Sequence, residues 1–166
     1  LTEFGDDHDR LWSAFSKSIR VGVERNAAYM NWRVFGHPHA KYRALGVWRA
    51  GKLAAEVVWC IEKKHGGSIG YIIELLHLPD DHAAGIAALR GALSHLNAEG
   101  AEAVLAWNLT TSPNSSVYQQ ARFLPLPEKI RPTNIYWGVC CFDKSIEPIV
   151  GKRENWYLSY TDSDTT

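Results

Sequence analysis

The residues best suited to acid–base chemistry lie in two parts of the sequence, and the first centres on Tyr118. Residues 114–123 read Asn-Ser-Ser-Val-Tyr-Gln-Gln-Ala-Arg-Phe and follow an apolar strand pattern. A phenol at the open end of a sheet can give a proton to a leaving group, so Tyr118 is a candidate general acid. The alternative is a half-buried aromatic side chain whose hydroxyl bonds water or a backbone carbonyl.

The second part centres on Glu74, which is a carboxylate inside a strongly apolar strand pattern. A partly desolvated carboxylate binds a proton more readily, which suits a general base that deprotonates an amine. Strict alternation along the strand would place Glu74 on the same face as Ile72 and Leu76. The alternative is a structural salt bridge, to Arg43 or to Arg49.

Two histidines flank the loop that follows this strand. His77 is an alternative general base, and His82 could contact a phosphate, because an imidazole changes its charge near neutral pH. Histidines near loops are also commonly solvated polar residues. Both interpretations remain open for each histidine.

The elements that position these residues follow from the spacing of apolar residues. Spacings of three and four predict helical structure from residue 6 to residue 35, with a separate short helix at 27–34. Alternating patterns and turn residues then predict three strands in a meander. Asp80 and Asp81 precede a further helix as candidate capping residues. The predicted strands lie at residues 42–48, 54–61, 68–78, 102–109, 130–142 and 156–160, and the later helices at 83–97 and 114–121.

This order of elements predicts a mixed α/β fold, with a central mixed sheet of about six to seven strands flanked by helices. The 166 residues are most simply one domain, with a helical lead-in at 1–41 and the sheet region at 42–166. The sequence begins Leu-Thr-Glu-Phe-Gly, with neither an initiator Met nor a signal-peptide pattern. We therefore expect a fragment of a longer protein.

Charge and hydropathy argue against nucleic acid and membranes as partners. Lys plus Arg and Asp plus Glu both number 18, so the formal net charge is +0 and no basic field attracts polyanions. No apolar run approaches the roughly 20 residues that a spanning helix needs. Cys60, Cys140 and Cys141 lie in predicted strands without zinc-type spacing, so we interpret them as buried small hydrophobic residues in a reducing cytoplasm.

Two other patterns suggest ligands but have simpler explanations. Asp162 and Asp164 resemble a metal-binding acidic pair, but an isolated pair in a polar tail is usually solvated, so we predict no metal site. Stacking on a sugar or nucleotide is less expected than core packing for most tryptophans, although Trp59 is the one to test. The tryptophans considered are Trp32, Trp48, Trp59, Trp107, Trp137 and Trp156.

The order of elements and the segment at 114–123 are similar to the GNAT superfamily of acyl-CoA-dependent N-acyltransferases, over most of the chain. In that family an Asn-x-x-x-Tyr-x-x-x-x-Phe-like segment lies on the second cofactor helix, and Asn114, Tyr118 and Phe123 match it. The resemblance implies that Asn114 contacts the cofactor. It also implies that Tyr118 returns a proton to the departing CoA thiolate.

The resemblance implies two further cofactor contacts. Residues 72–78 correspond to the family's splayed strand, whose backbone hydrogen-bonds the pantetheine arm. Residues 80–85 correspond to the loop that holds the pyrophosphate, because a helix N-terminus presents free N–H groups and favours negative charge. The cofactor-binding residues implied in these two segments are Leu76, Leu78, His82, Ala83 and Gly85.

The phosphate loop departs from the family's Arg/Gln-x-x-Gly-x-Gly/Ala pattern, and two alignments of it are open. One alignment, at residues 82–87, keeps Gly-x-Ala but replaces Arg or Gln with His82. The other, at residues 80–85, fits the helix length better but puts Asp80 and Asp81 where phosphates should lie. Two carboxylates there would repel a pyrophosphate.

A weaker resemblance extends to both ends of the chain. The Asn-Trp-Arg at 31–33, the His-Pro at 37–38 and the ending at 156–164 look like the C-terminal halves of tandem GNAT-like proteins. Some of those proteins come from polysaccharide or cell-envelope gene neighbourhoods. The resemblance implies that a second GNAT-like domain is a partner of this one.

The resemblance therefore implies an acyl-CoA-dependent N-acyltransferase, which moves an acyl group, most simply acetyl from acetyl-CoA, to a small-molecule amine such as an amino sugar or a cell-envelope precursor. Glu74 or a relayed water would take the amine proton, and Tyr118 would protonate the sulfur. The alternative is a GNAT-like domain that has lost donor binding and serves as the recognition or scaffolding half of a tandem protein. A third possibility, a relative of the peptidoglycan-bridge aminoacyl transferases, lacks a basic helix pair suited to tRNA.

Overall fold

The structure is a computed structural model that describes residues 1–38, 41–64, 66–131 and 138–163. Its sheet has four strands in the order β1-β2-β3-β4. The first three form an antiparallel meander, and the fourth pairs with β3 in parallel after a helical crossover. The strands are β1 (Arg43–Arg49), β2 (Lys52–Lys64), β3 (Gly67–His77) and β4 (Ala103–Ala106).

Helices cover both faces of this sheet. The longest helix packs against β1, β2 and β3 on one face, while the N-terminal helix packs against β2 and β3 on the other. The second helix continues as a π-helical turn over Asn31–Phe35. The helices are α1 (Asp6–Phe15), α2 (Ala27–Met30), α3 (His82–Ala98), α4 (Ser115–Gln120) and α5 (Glu147–Val150).

Small residues bring α3 close to the sheet. Ala84, Ala88 and Ala92 recur at four-residue spacing and are fully buried, so one face of the helix lies against the strands. On the strand side of this contact, Gly70 of β3 leaves room for Leu96 of α3, because a Cβ at residue 70 would lie 2.9 Å from Cδ2 of Leu96. This packing fixes the N-terminus of α3 beside the end of β3.

The strands β3 and β4 separate after a short stretch of pairing. Their register runs only from Ile69 opposite Ala103 to Ile72 opposite Ala106. At the next residue β3 has a β-bulge, since Val58 and Trp59 of β2 lie opposite Glu74 and Ile72 and leave Ile73 without an opposite residue. We call the gap between residues 73–77 of β3 and the chain after β4 the split.

The predicted mixed α/β fold with a central sheet flanked by helices is confirmed, but the sheet in the described ranges has four strands rather than six to seven. Residues 128–130 form a 3₁₀ turn and residues 138–142 are not a strand, while 132–137 of the predicted strand lie outside the described residues. The predicted strand at 156–160 is reduced to one parallel bridge between Trp156 and Val21. Its backbone pairs locally with the N-terminal segment instead of entering the sheet.

The first predicted helix is also shorter than expected. It ends at Phe15, and a 3₁₀ turn follows at Ser16–Ser18. The backbone N–H of Val21 donates to Asn155 O, and its carbonyl accepts from the N–H of Tyr157. Because these groups bond the C-terminal segment, they are not available to continue a helix.

Two expectations about individual side chains are corrected, and two further residues lie outside the described ranges. Cys60 is buried, but Cys140 is exposed and Cys141 is partly exposed, because their segment is not a strand. Trp32 is 67% exposed and Trp48 is 48% exposed, so core packing does not explain these two. Trp137 and Asp164 lie outside the described residues.

The described residues include neither a candidate membrane-spanning helix nor a candidate metal cluster. In residues 1–38, 41–64, 66–131 and 138–163 no helix has the length and apolar composition to cross a bilayer. In the same ranges no group of three or more His, Cys, Asp or Glu side chains is arranged to hold a metal ion.

Candidate functional site

The carboxylate of Glu74 lies in a buried hydrogen-bond network at the split. Its Oε2 accepts from Nε of Arg25 at 2.5 Å and from Oγ of Ser159 at 2.8 Å. Its Oε1 accepts from the hydroxyl of Tyr157 at 2.5 Å. Glu74 is 1% exposed, and these three donors are buried side chains. Its Oε1 also accepts from the backbone N–H of Leu75 at 3.0 Å. The salt bridge that the sequence left open therefore exists, but its partner is Arg25 rather than Arg43 or Arg49.

The β-bulge explains which face Glu74 occupies. Ile72 packs in the core cluster under α3, whereas Leu76 packs with Phe15 of α1. The extra residue at Ile73 breaks the alternation, so Glu74 points to the α1 side together with Leu76 but not with Ile72. An apolar pattern does not reveal a bulge. Strict alternation therefore predicts the shared face with Leu76 correctly and the shared face with Ile72 wrongly.

Arg25 is the centre of this network, and sequence reasoning missed it. It is fully buried, and its Nη2 donates to Oδ2 of Asp162 at 2.5 Å in addition to the bond with Glu74. Burial alone would lower the pKa of the Arg25 guanidinium, but Glu74 and Asp162 outweigh that effect and raise the pKa above its ordinary value. Asp162 was expected to be solvated; instead its side chain is 10% exposed and burial raises its pKa. In the sequence, the only sign of Arg25 is that it is a single basic residue between two helical patterns.

Residues 157–163, which we call the C-terminal strap, cross the split on the α1 side. Tyr157 and Thr161 are 1% and 2% exposed. The hydroxyl of Thr161 donates to the backbone carbonyl of Ile73 at 3.1 Å. Arg33 holds the strap from outside the split, with Nε 3.1 Å from Thr161 O and Nη2 2.6 Å from Ser163 O.

Asn114 fills the same edge of β3 from the other side. Its Nδ2 donates to the carbonyl of Leu75 at 2.7 Å and lies 3.0 Å from the hydroxyl of Tyr157. That hydroxyl also lies 3.1 Å from Leu75 O, but its single proton goes to the closer carboxylate of Glu74. The backbone acceptors of β3 that face the split, at Ile73 and Leu75, are therefore both bonded to side chains of this chain.

The implied contacts at Leu76, near the end of β3, and at Leu78, one residue beyond it, lie beside β2. Leu76 is opposite Glu56 of β2, and the N–H of Leu78 donates to Ala54 O at 2.8 Å. Because of the bulge, the backbone groups that face the split belong to residues 73 and 75 rather than to residues 76 and 78. A cofactor contact at Leu78 through its N–H would have to replace a bond inside the sheet.

A carboxylate occupies the N-terminus of α3. Oδ1 of Asp81 accepts from the N–H of Ala84 at 2.9 Å, which confirms the predicted cap, and Oδ2 accepts from Nε of Arg49 at 2.9 Å. The N–H of Ala84 and the Arg49 guanidinium hold the pKa of Asp81 below its ordinary value. The anion-binding end of α3 is thus paired with the chain's own negative charge.

The residues implied as phosphate contacts are divided between the surface and the core. His82 and Ala83 are exposed, and Nδ1 of His82 lies 3.4 Å from Oγ of Ser116. Gly85 is buried against His77, where a Cβ would lie 3.0 Å from Cδ2 of the imidazole. The missing side chain of Gly85 therefore makes room for His77.

His77 is a buried, neutral side chain. Burial lowers its pKa, and Nδ1 lies 2.8 Å from Leu78 O, which assigns the proton to Nδ1. Its ring packs against Phe15 at 5.8 Å between centroids. Nε2 has no hydrogen-bond partner among the described residues. Its general-base role stays a prediction.

Tyr118 lies on α4, on the side of the split opposite to α1. Burial, followed by the nearby charge of Glu74, raises its pKa far above the ordinary value, so the phenol keeps its proton at neutral pH. Its ring contacts Phe123 at 5.2 Å between centroids. It lines a cleft of about 1040 Å³ beside β4. Tyr118 is thus chemically able to donate a proton, while its role stays a prediction.

These features do not fit an acyl-CoA donor held in the way that the GNAT resemblance implies. The carbonyls at Ile73 and Leu75 are bonded to Thr161 and Asn114, and Asp81 places negative charge where a pyrophosphate would lie. The described residues thus form the scaffold of such a site without open donor contacts.

Comparison with solved structures shows that the chain has the fold of the GNAT acetyltransferases. It is similar to glucosamine-6-phosphate N-acetyltransferase from Arabidopsis thaliana at 14% identity, over 85% of this chain and 96% of that chain, with a TM-score of 0.54. It is similar to an aminoglycoside acetyltransferase from an uncultured soil metagenomic sample at 9% identity, over 79% and 87% of the two chains, with a TM-score of 0.55.

A transcriptional regulator from Bacillus halodurans C-125 is also similar, at 9% identity over 81% of this chain and 97% of that chain, with a TM-score of 0.56. No protein-family model and no curated protein sequence matches the chain. At identities this low, structural similarity shows the fold alone, and it confirms the fold implied by the sequence. The function has to be argued from the site.

Proposed function

We propose that this GNAT-fold domain is the recognition or scaffolding half of a tandem acyltransferase and does not bind an acyl donor by itself. The observation that carries this proposal is the bonding of Ile73 O and Leu75 O to Thr161 and Asn114. A pantetheine arm would have to replace two buried hydrogen bonds before it could make its own. Each bond exchanged inside a buried site gives little net gain.

The N-terminus of α3 supports the same proposal. A pyrophosphate there would meet the carboxylate of Asp81, which already accepts from Ala84 and is paired with Arg49. Two anions close together in a partly desolvated site repel each other. The positive end of the α3 dipole therefore already interacts with the carboxylate of Asp81.

The partner in this proposal is a second GNAT-like domain that binds the acyl donor. The domain formed by residues 1–166 would help to hold the small-molecule amine acceptor. An amino sugar or a cell-envelope precursor is the first class of acceptor to test. We place the protein in the cytoplasm, where a reducing environment keeps free thiols such as that of Cys60 reduced.

Acetyl-CoA binding tests the proposal. We expect no heat of binding by calorimetry and a change in Tm below about 1 °C at millimolar acetyl-CoA, whereas binding at 100 times the Kd would stabilise the fold by about 2.7 kcal/mol. A catalytically active GNAT acetyltransferase in the same buffer is the positive control. A saturable rise of several degrees, lost in His82→Asp, would contradict the proposal, because the added carboxylate acts only if phosphates bind at α3.

A second candidate function is acyl transfer by this domain alone, and the buried neutral phenol of Tyr118 favours it. If this candidate is right, Tyr118→Phe should lower kcat by about 10²–10⁴-fold, the range for losing a general acid. Stability should change little, because the hydroxyl makes no hydrogen bond to the described residues. Release of free thiol from acetyl-CoA, with amino sugars and aminoglycosides as acceptors, measures the rate. Equal rates in the two proteins would eliminate the candidate.

A further inference from the structure

We propose that the cavity beside the edge strand β1 binds the pyranose ring of a saccharide against Trp59. The saccharide would be the acceptor that the recognition half holds, so this inference rests on the proposed function and gives the acceptor a class and a place. The cavity lies at β1, whereas the acyl donor of the GNAT resemblance would lie at the split. Saccharide binding and donor binding can therefore be tested separately.

The cavity beside β1 has the size and lining of a small-molecule site. Its volume is about 680 Å³, and its lining combines aromatic rings with polar side chains. Trp48 is 48% exposed, so a ligand can reach the cavity from solvent, whereas Trp59 is 4% exposed. The aromatic lining residues are Phe35, Tyr42, Trp48 and Trp59, and the polar ones include Arg43 and His95.

The indole N–H of Trp59 is a donor without an acceptor. Its Nε1 is buried and has no hydrogen-bond partner among the described residues. By contrast, Nε1 of Trp12 donates to Glu24 at 2.6 Å, and Nε1 of Trp156 donates to Val150 O at 2.7 Å. A buried donor without a partner costs folding free energy, and buried indole N–H groups usually have one. An oxygen atom of a ligand in the cavity would supply the missing acceptor.

The ring of His95 covers Trp59 and can leave it. The imidazole stacks on the indole with 5.6 Å between centroids and 22° between planes. His95 is exposed, so its side chain can change rotamer within nanoseconds. A pyranose presents a face of C–H groups with a slight positive charge, which matches the negative face of an indole. We expect the sugar ring to replace the imidazole on Trp59 and to bring a hydroxyl oxygen to Nε1.

Charge at the cavity favours hydroxyl groups over a phosphate. Arg43 is already paired with Glu99, so an anion gains little from its guanidinium. The pair offers donors on Arg43 and acceptors on Glu99, and a sugar hydroxyl can both donate and accept. A saccharide therefore fits these side chains better than a nucleotide does.

The indole N–H signals in nitrogen–proton NMR spectra test the inference. The probes are diacetylchitobiose and chitobiose, the disaccharides of N-acetylglucosamine and of glucosamine, at up to tens of millimolar. The chain has seven tryptophans, and the signal lost in Trp59→Phe identifies that of Trp59. We expect saccharide to move the Trp59 signal downfield, because a hydrogen-bonded N–H resonates at lower field than an unbonded one.

Variants of the cavity, with Kd measured by calorimetry, assign the contacts. Trp59→Phe keeps an aromatic ring but removes the N–H, so Kd should rise about tenfold. Trp48→Ala should also raise Kd about tenfold, and it covers the case in which Trp59→Phe does not fold. His95→Ala should lower Kd by about two- to tenfold, because no aromatic pair has to be broken before the sugar binds. Trp156→Phe, which lies outside the cavity, is the matched control and should leave Kd unchanged.

A Trp59 signal that moves with neither disaccharide would overturn the inference. The same conclusion would follow from an unchanged Kd in both Trp59→Phe and Trp48→Ala, or from weaker binding in His95→Ala. Acetyl-CoA binding to the wild type would instead overturn the proposed function and would leave the saccharide result intact.

Discussion

Arg25→Met should lower the free energy of unfolding by about 3–5 kcal/mol, because it leaves two buried carboxylates without their cation. Glu74 is 1% exposed and the Asp162 side chain 10%, so water cannot replace the guanidinium. For a chain of this length each kcal/mol shifts Tm by about 2–4 °C, so the loss in Tm should be about 10 °C. Thermal and urea unfolding followed by circular dichroism measure both quantities.

Two further variants separate the charge effect from lost packing. Arg20→Met removes an exposed arginine from the same region and should change stability by less than about 0.5 kcal/mol. Arg25→Met combined with Glu74→Gln and Asp162→Asn removes the unpaired charge and should recover most of the loss. A single variant that costs under about 1 kcal/mol, or a triple variant no better than the single, would contradict a role for the ion cluster in stability.

Raising the pH above 6.5 should destabilise the protein through a second buried pair, His8 and Glu56. Nδ1 of His8 lies 2.6 Å from Oε1 of Glu56, and Nε2 lies 2.6 Å from Arg25 O. Burial would lower the pKa of His8, but the bond to Glu56 outweighs it and the pKa is raised; burial also raises the pKa of Glu56. The folded pair thus keeps a proton that the unfolded chain releases.

The sign of the pH effect follows from this difference in bound protons. The stabilisation is fully present below the unfolded pKa of His8, 6.5, and is lost as the pH rises through the higher folded pKa. The slope approaches about 1.4 kcal/mol per pH unit while the native pair keeps its proton. Urea unfolding from pH 6 to 9 measures it. His8→Gln should flatten the slope, and His95→Gln, at an exposed histidine, should keep it; a wild-type slope of zero would refute the assignment.

The parts of the fold that depend on local pattern could be predicted from sequence. Alternation and turns located β1, β2 and β3 to within a few residues, and Asp81 was recognised as the cap of α3. These features depend on neighbours within one turn or one strand. The GNAT fold followed from their order.

The rest of the site depends on pairing between distant segments, which local patterns do not encode. The bulge at Ile73 exists only relative to β2, and it decides that Ile73 and Leu75 face the split. The alternating residues 156–160 have a strand pattern, but the bonds from Ser159 to Glu74 and from the adjoining Thr161 to Ile73 O hold this segment across the split instead. Sequence reasoning therefore found the correct strand for the site but not the residues that cover it.

The ion cluster also constrains the order in which a growing chain can fold. Arg25 is 49 residues from Glu74 and 137 residues from Asp162 along the sequence. At about 5–20 residues per second, a ribosome takes roughly 7–27 s to make the stretch from Arg25 to Asp162. Until then Arg25 has only one of its two carboxylates and Glu74 lacks Tyr157 and Ser159. The sheet can form early in translation, but its charged centre leaves water only after the strap has emerged.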